Sequence, residues 1–210
     1  MEAPEHKRTT PSPRPQKIGL LGGSFNPAHA GHVHLSQQAL KHLQLDAVWW
    51  LVSPQNPLKS DEGMAPFDER LQHAEQLIAG DARIQTSDFE AVHGLQYTCD
   101  TLPALQDAYP QHHFVWLMGA DNLVHFHRWR AWESILQTMP VAVFDRAPFS
   151  HAALQSKMAI KYRAAQAGPK ELSALASCDA PAWAYIRMPR CDLSATELRK
   201  TLGSKAFLMA

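Results

Sequence analysis

Cysteine is scarce in this sequence: three residues in 210, Cys99, Cys178 and Cys191, widely spaced and odd in number. They form no CxxC unit and cannot all pair within the chain, so a reducing compartment is expected. Long apolar runs are also missing. No stretch approaches 18 residues, so no membrane span is expected. Net charge is zero, with 20 Lys+Arg against 20 Asp+Glu. The basic excess of a non-specific nucleic-acid binder is therefore absent, although a local phosphate site remains open. The amino-terminal MEAPEHKRTTPSPRPQK is too polar and proline-rich for the apolar core of a secretory signal. These absences lead to the expectation of a cytoplasmic protein that engages neither nucleic acid nor membrane. Whether it is a monomer or a homo-oligomer stays open.

Histidine, by contrast, is abundant at 12 residues, beside 6 Trp and 15 Pro. A chain of this length buries roughly 70% of its extended surface, enough for one substantial core or two small ones. Residues 1–16 hold Pro4, Pro11, Pro13 and Pro15 with little to bury, and read as a flexible tail. Order is expected from Lys17, where an apolar strand runs into Gly22 and Gly23. A helix follows from about Gly31 to Leu43, with Leu35, Ala39 and Leu43 recurring every four residues. Residues 47–52 form a short apolar run rich in β-formers, which completes a βαβ order. Residues 53–66 read as a loop. Beyond them the pattern predicts a helix on Phe67, Leu71, Ala74 and Ile78, a strand at 82–86, a helix at 98–108 and a strand at 113–118. A short helix carrying Trp129, Trp132 and Leu136, a strand at 141–144, a helix at 150–166 and a strand at 182–187 complete this part. Ser194 and Glu197 fit a capping box opening a last helix that would bury Leu198 and Leu202. The alternation predicts one α/β domain over residues 17–210, with a Rossmann-like, open and mostly parallel sheet flanked by helices.

The most informative stretch is Gly22-Gly-Ser-Phe-Asn-Pro-Ala-His-Ala-Gly-His32, between the first strand and the first helix, where open α/β sheets place ligands. It is neither a dinucleotide fingerprint nor a Walker A loop. Gly22 and Gly23 bring backbone amides near a ligand, and the helix start offers unpaired N–H groups suited to phosphate oxygens. His29 and His32, three apart at the mouth of that helix, could both reach one phosphate with charge-assisted hydrogen bonds. Two other readings stand beside this one. Zinc could bind His29, His32 and His34, although His34 points elsewhere on a helix; or the histidines could serve only in capping and at the surface. Ser24 lacks a GxSxG elbow and reads as a hydrogen-bond donor rather than a nucleophile.

This stretch resembles the (T/H)xGH phosphate-binding signature of the nucleotidyltransferase superfamily. With the segments below, the chain after its tail resembles the bacterial nicotinate-nucleotide adenylyltransferases. The resemblance implies that His29 and His32 bind the ATP phosphates and stabilise the transition state, with Gly22, Gly23, Ser24 and Phe25 around them. Asn26 stands where aspartate is more usual. Leu193-Ser-Ala-Thr-Glu-Leu-Arg199 resembles the family's (I/V)SSTxIR signature, which implies phosphate contacts from Ser194, Thr196 and Arg199; an ordinary capped terminal helix is the plainer reading. Gly119 and Asp121 match the family's Gly-x-Asp nucleotide segment, and a helix N-cap at Asp121 is compatible with that role.

Tyr97-Thr-Cys-Asp-Thr101 resembles the YTxDT segment. By that likeness the backbone around Thr98 and after Trp129, with Arg130, receives the nicotinate carboxylate, and Trp129 stacks on the pyridine ring. Lys59, in Pro54-Gln-Asn-Pro-Leu-Lys59, resembles a family phosphate contact, and Arg146 matches an arginine that follows a strand. The implied substrates are ATP and nicotinate mononucleotide. Mg²⁺ would be held mainly through the ATP phosphates, without a dedicated protein metal site. Other phosphorylated acceptors, nicotinamide mononucleotide and phosphopantetheine among them, and a non-catalytic nucleotide-binding regulatory domain are the alternatives.

Overall fold

The computed structural model describes residues 14–54, 64–146 and 148–189. Its centre is a six-stranded sheet: β1 (Lys17–Gly23), β2 (Ala47–Val52), β3 (Ile84–Ser87), β4 (His113–Gly119), β5 (Val141–Phe144) and β6 (Trp183–Ile186). The strand order is β3-β2-β1-β4-β5-β6, and every pairing is parallel. Parallel strands covered on both faces read as continuous apolar runs, which is why β2 is AVWWLV and buried throughout. Successive side chains alternate faces, so Trp49 joins one apolar layer and Trp50 the other.

The first layer packs Trp49, Trp116 and Trp183 against α4 (Thr98–Ala108) and α6 (Trp132–Thr138) through Leu102, Leu105, Ile135 and Leu136. The second packs Trp50, Val115 and Leu117 against α1 (Ala30–His42) and α2 (Phe67–Ile78). Leu35, Ala39 and Leu43 bury as their four-residue spacing predicts. From β1 the chain builds outward to β3, then returns across the sheet to β4 on the other side of β1. The carboxyl ends of β1 and β4 thus flank a topological switch point, where such sheets bind ligands.

Several elements depart from the sequence expectation. The strand expected at 82–86 is β3 at Ile84–Ser87, because Arg83 instead closes a turn on Asp81 with side-chain bonds of 3.0 and 2.9 Å. Two short helices, α3 (Phe89–Val92) and α5 (Ala120–His125), occur where periodicity is too brief to register. The helix expected at 150–166 is broken into α7 (Ser150–Leu154), α8 (Lys157–Lys161) and a 3-10 turn at Arg163–Ala165. Ser156 Oγ caps α8 through the Ala159 N–H, and the Trp183 indole donates to the Tyr162 carbonyl at 2.8 Å, tying the end of α8 to β6. Trp129 and Trp132 do not share a helix. Trp129 is extended, Ala131 is left-handed at φ 44°, and α6 begins only at Trp132.

Candidate active site

The signature segment leaves β1 at Gly23, whose carbonyl accepts the Ser53 N–H at 2.9 Å. Gly22 is sterically required, since a Cβ there would strike the Trp116 ring. Phe25 adopts φ 46°, costly for a side chain of this size. Its ring is 2% exposed and stacks on Trp50 with centroids 4.9 Å apart and planes at 14°. Asn26 Oδ1 accepts the Ala65 N–H at 3.2 Å, so this segment is tied to the residues that lead into α2.

His29 is not in the helix. It is the N-cap of α1, extended at φ −153°, and its Nδ1 accepts the Gly31 N–H at 3.1 Å. His32 answers with its own Nδ1, which accepts the His29 backbone N–H at 3.2 Å. A ring nitrogen that accepts from an amide carries no proton, so each imidazole holds its hydrogen on Nε2. Burial, reinforced by the positive charge of Arg146, lowers the His29 pKa to about 4. His29 therefore stands neutral at pH 7 in this structure, and the charge in a hydrogen bond from it to a phosphate would lie on the acceptor. The two rings lie 3.9 Å apart, His29 at 3% exposure and His32 partly exposed. His34 turns away to the Pro189 carbonyl at 3.0 Å, and no cluster of metal-binding side chains occurs among the described residues.

Arg70 carries no motif, and sequence reasoning passes over it. On α2 it is 1% exposed, and its guanidinium donates to four backbone carbonyls: Ser24 at 2.6 Å, Ser53 at 2.8 Å, Pro54 at 2.8 Å and Ala65 at 2.9 Å. The signature segment, the end of β2 and the entry to α2 thus converge on one side chain. A visible hint was the basic residue on the face between Phe67 and Ala74, where the α2 periodicity calls for an apolar one.

Across the switch point, Gly119 is the N-cap of α5, and Asp121 lies inside the first turn rather than at the cap. A Cβ on Gly119 would strike Asp121 Oδ1. Asp121 Oδ2 pairs with Arg146 at 3.3 Å, while its buried Oδ1 has no partner in the structure. Arg146 also acts electrostatically on His29, so it links groups that follow β1 and β4. The preceding Asp145 accepts from Tyr185 at 2.7 Å and from Ser150, which secures the end of β5.

The third group gathers at the start of α4. Tyr97 is its N-cap residue, and no side chain caps the helix. The Arg130 guanidinium sits 4.6 Å over the Tyr97 ring and 3.4 Å from Asp100. Thr98 and Arg130 are therefore brought together across 32 residues of chain. Trp129 packs edge-on against Phe126 and Trp116, at 5.2 and 6.4 Å between centroids, and remains partly exposed. Behind α4, the buried Glu90 accepts the Thr101 hydroxyl at 2.9 Å, and burial pushes its carboxyl above the usual range. Lys59, Ser194, Thr196 and Arg199 lie outside the described residues.

With this geometry established, comparison with known proteins decides the family. A cytidylyltransferase-like family model matches residues 20–201. A probable nicotinate-nucleotide adenylyltransferase of Parvibaculum lavamentivorans is 51% identical over 187 residues, 89% of this chain and 92% of that protein. The chain belongs to the nicotinate-nucleotide adenylyltransferase family. A family relative from Brucella abortus, also described as a probable nicotinate-nucleotide adenylyltransferase, is 43% identical over 90% of this chain and 97% of its own length. Among solved structures, Plasmodium falciparum nicotinic acid mononucleotide adenylyltransferase complexed with NaAD superposes with a TM-score of 0.67. It covers 89% of this chain and 84% of that one at 18% identity, a likeness of fold.

Proposed function

We propose that this protein transfers the adenylyl group of ATP to nicotinate mononucleotide, releasing pyrophosphate and forming deamido-NAD. The observation that carries the reading is the His29–His32 pair at the N-terminus of α1, beside the β1/β4 switch point. Both rings keep their hydrogen on Nε2 and so serve as donors to phosphate oxygens. The reaction requires no protein nucleophile: the acceptor phosphate attacks the α-phosphorus of ATP in line, and pyrophosphate leaves. Catalysis is positioning plus stabilisation of charge on the phosphoryl oxygens. His29 and His32 brace those oxygens, with Gly22, Gly23, Ser24 and Phe25 shaping the wall. Ser194, Thr196, Arg199 and Lys59 are proposed contacts to the polyphosphate, and Gly119 and Asp121 to the nucleotide.

The nicotinate end is assigned to Trp129, Thr98 and Arg130. The uncapped start of α4 offers amide donors suited to a carboxylate, and Arg130 adds positive charge beside it. A carboxamide would present an N–H₂ group to the same donors, which disfavours nicotinamide mononucleotide. Mg²⁺ supplies charge neutralisation across the ATP phosphates when bound. Asp121 is engaged by Arg146, and the cation is proposed to be carried on the ATP phosphates rather than in a dedicated protein site.

Labelled ATP offered with nicotinate mononucleotide, nicotinamide mononucleotide and phosphopantetheine in turn tests the reading. Pyrophosphate release is expected chiefly with the first. Equal turnover with the amide overturns the acceptor assignment, and none with any acceptor overturns the enzyme reading in favour of a nucleotide-binding regulatory domain.

A further inference from the structure

The apolar face that α1 turns to the sheet consists of Leu35, Ala39, Leu40 and Leu43, with one polar residue among them, the wholly buried Ser36. A buried hydroxyl costs stability unless it is hydrogen-bonded, and a helical serine bonding back one turn tends to weaken its helix. Packing alone does not account for it. Ser36 Oγ lies 2.9 Å from the His32 carbonyl and 2.8 Å from the Trp50 indole nitrogen. An indole can only donate, so Trp50 gives its N–H to the hydroxyl, and the single hydroxyl proton goes to His32. The direction of the relay is thereby fixed.

Trp50 reaches the same histidine by a second route. It is wholly buried on β2 and stacks on Phe25, whose ring meets His32 at 4.9 Å; His32 meets His29 at 3.9 Å. The left-handed backbone of Phe25 is held in place by that stack.

We propose that Trp50 and Ser36 are positioning residues for His32: the indole N–H and the serine hydroxyl form a relay from the sheet that fixes the His32 backbone and aims its imidazole at the polyphosphate. The proposal rests on the phosphate role given above to His32. Ser36→Ala removes the relay, and Trp50→Phe removes the indole N–H while keeping a ring against Phe25. Each is expected to lower kcat roughly ten- to a hundredfold, with KM for both substrates within about twofold of wild type. The two changes together should cost no more than Ser36→Ala alone, and Ser36→Ala should have no further effect on kcat in a His32→Ala background.

Unchanged kcat in both single variants, with turnover lost in His32→Ala, overturns the relay and leaves the role of His32 standing. An equal loss from Ser36→Ala with and without His32 also overturns it, because the serine then acts on the fold at large. Full turnover in His32→Ala overturns the role of His32 and the relay with it. If Trp50→Phe fails to fold, Ser36→Ala and its His32→Ala cycle decide alone.

Discussion

His29 combines burial, a neighbouring guanidinium and a capping bond in one imidazole, and its protonation follows from these. Its pKa of about 4 lies below the ordinary 6.5, so between those values the unfolded chain binds the extra proton. The stability this contributes is complete above about pH 6.5 and is lost as pH falls toward 4, at most roughly 3 kcal/mol. Denaturant unfolding at neutral pH and near pH 4.5 should show that loss in the wild type and less of it in His29→Gln. An equal loss in both would place the pH sensitivity elsewhere. At this scale His29 and His32 were legible because their spacing belongs to a short contiguous motif. The neutral state of His29 was not, since it depends on burial under the assembled layers and on Arg146, more than a hundred residues away in sequence.

At the level of elements, Arg70 joins α2 to the ends of β1 and β2 by satisfying four carbonyls at once. Arg70→Met leaves those acceptors without their donor and is expected to destabilise the protein by about 3 kcal/mol or more. Arg70→Lys should recover less than half, because one ammonium cannot span four separated oxygens. Urea melts of the two variants check the order. A lysine variant as stable as wild type would reduce Arg70 to a buried charge. Helix and strand positions were legible wherever an apolar period ran for two turns or more, as in α1 and α2. The break at Ser156 was not, because the residues on either side of it carry an adequate helical pattern; it shows only in the Ser156 hydroxyl that accepts the Ala159 N–H and so opens α8 as a separate helix.

Across the whole molecule, the parallel sheet brings the ends of β1, β4 and β5 together, so His29, Asp121 and Arg146 meet although the chain separates them widely. If the divalent cation travels with ATP, chelation should abolish turnover while leaving the melting temperature of the nucleotide-free protein unchanged. A lower melting temperature on chelation would place the cation on the protein itself. The zero net charge fits this arrangement, in which a compact site is built from helix N–H groups, neutral imidazoles and a few basic side chains. The strand–helix alternation, the apolar runs of the sheet and the signature segment could all be read before folding, because each is encoded in neighbouring residues. The strand order, the neutral His29, the Arg70 hub and the hydrogen bonds of Ser36 with Trp50 and the His32 carbonyl emerge with the fold. Each of these depends on which distant groups share a buried space, and burial is a property of the assembled layers.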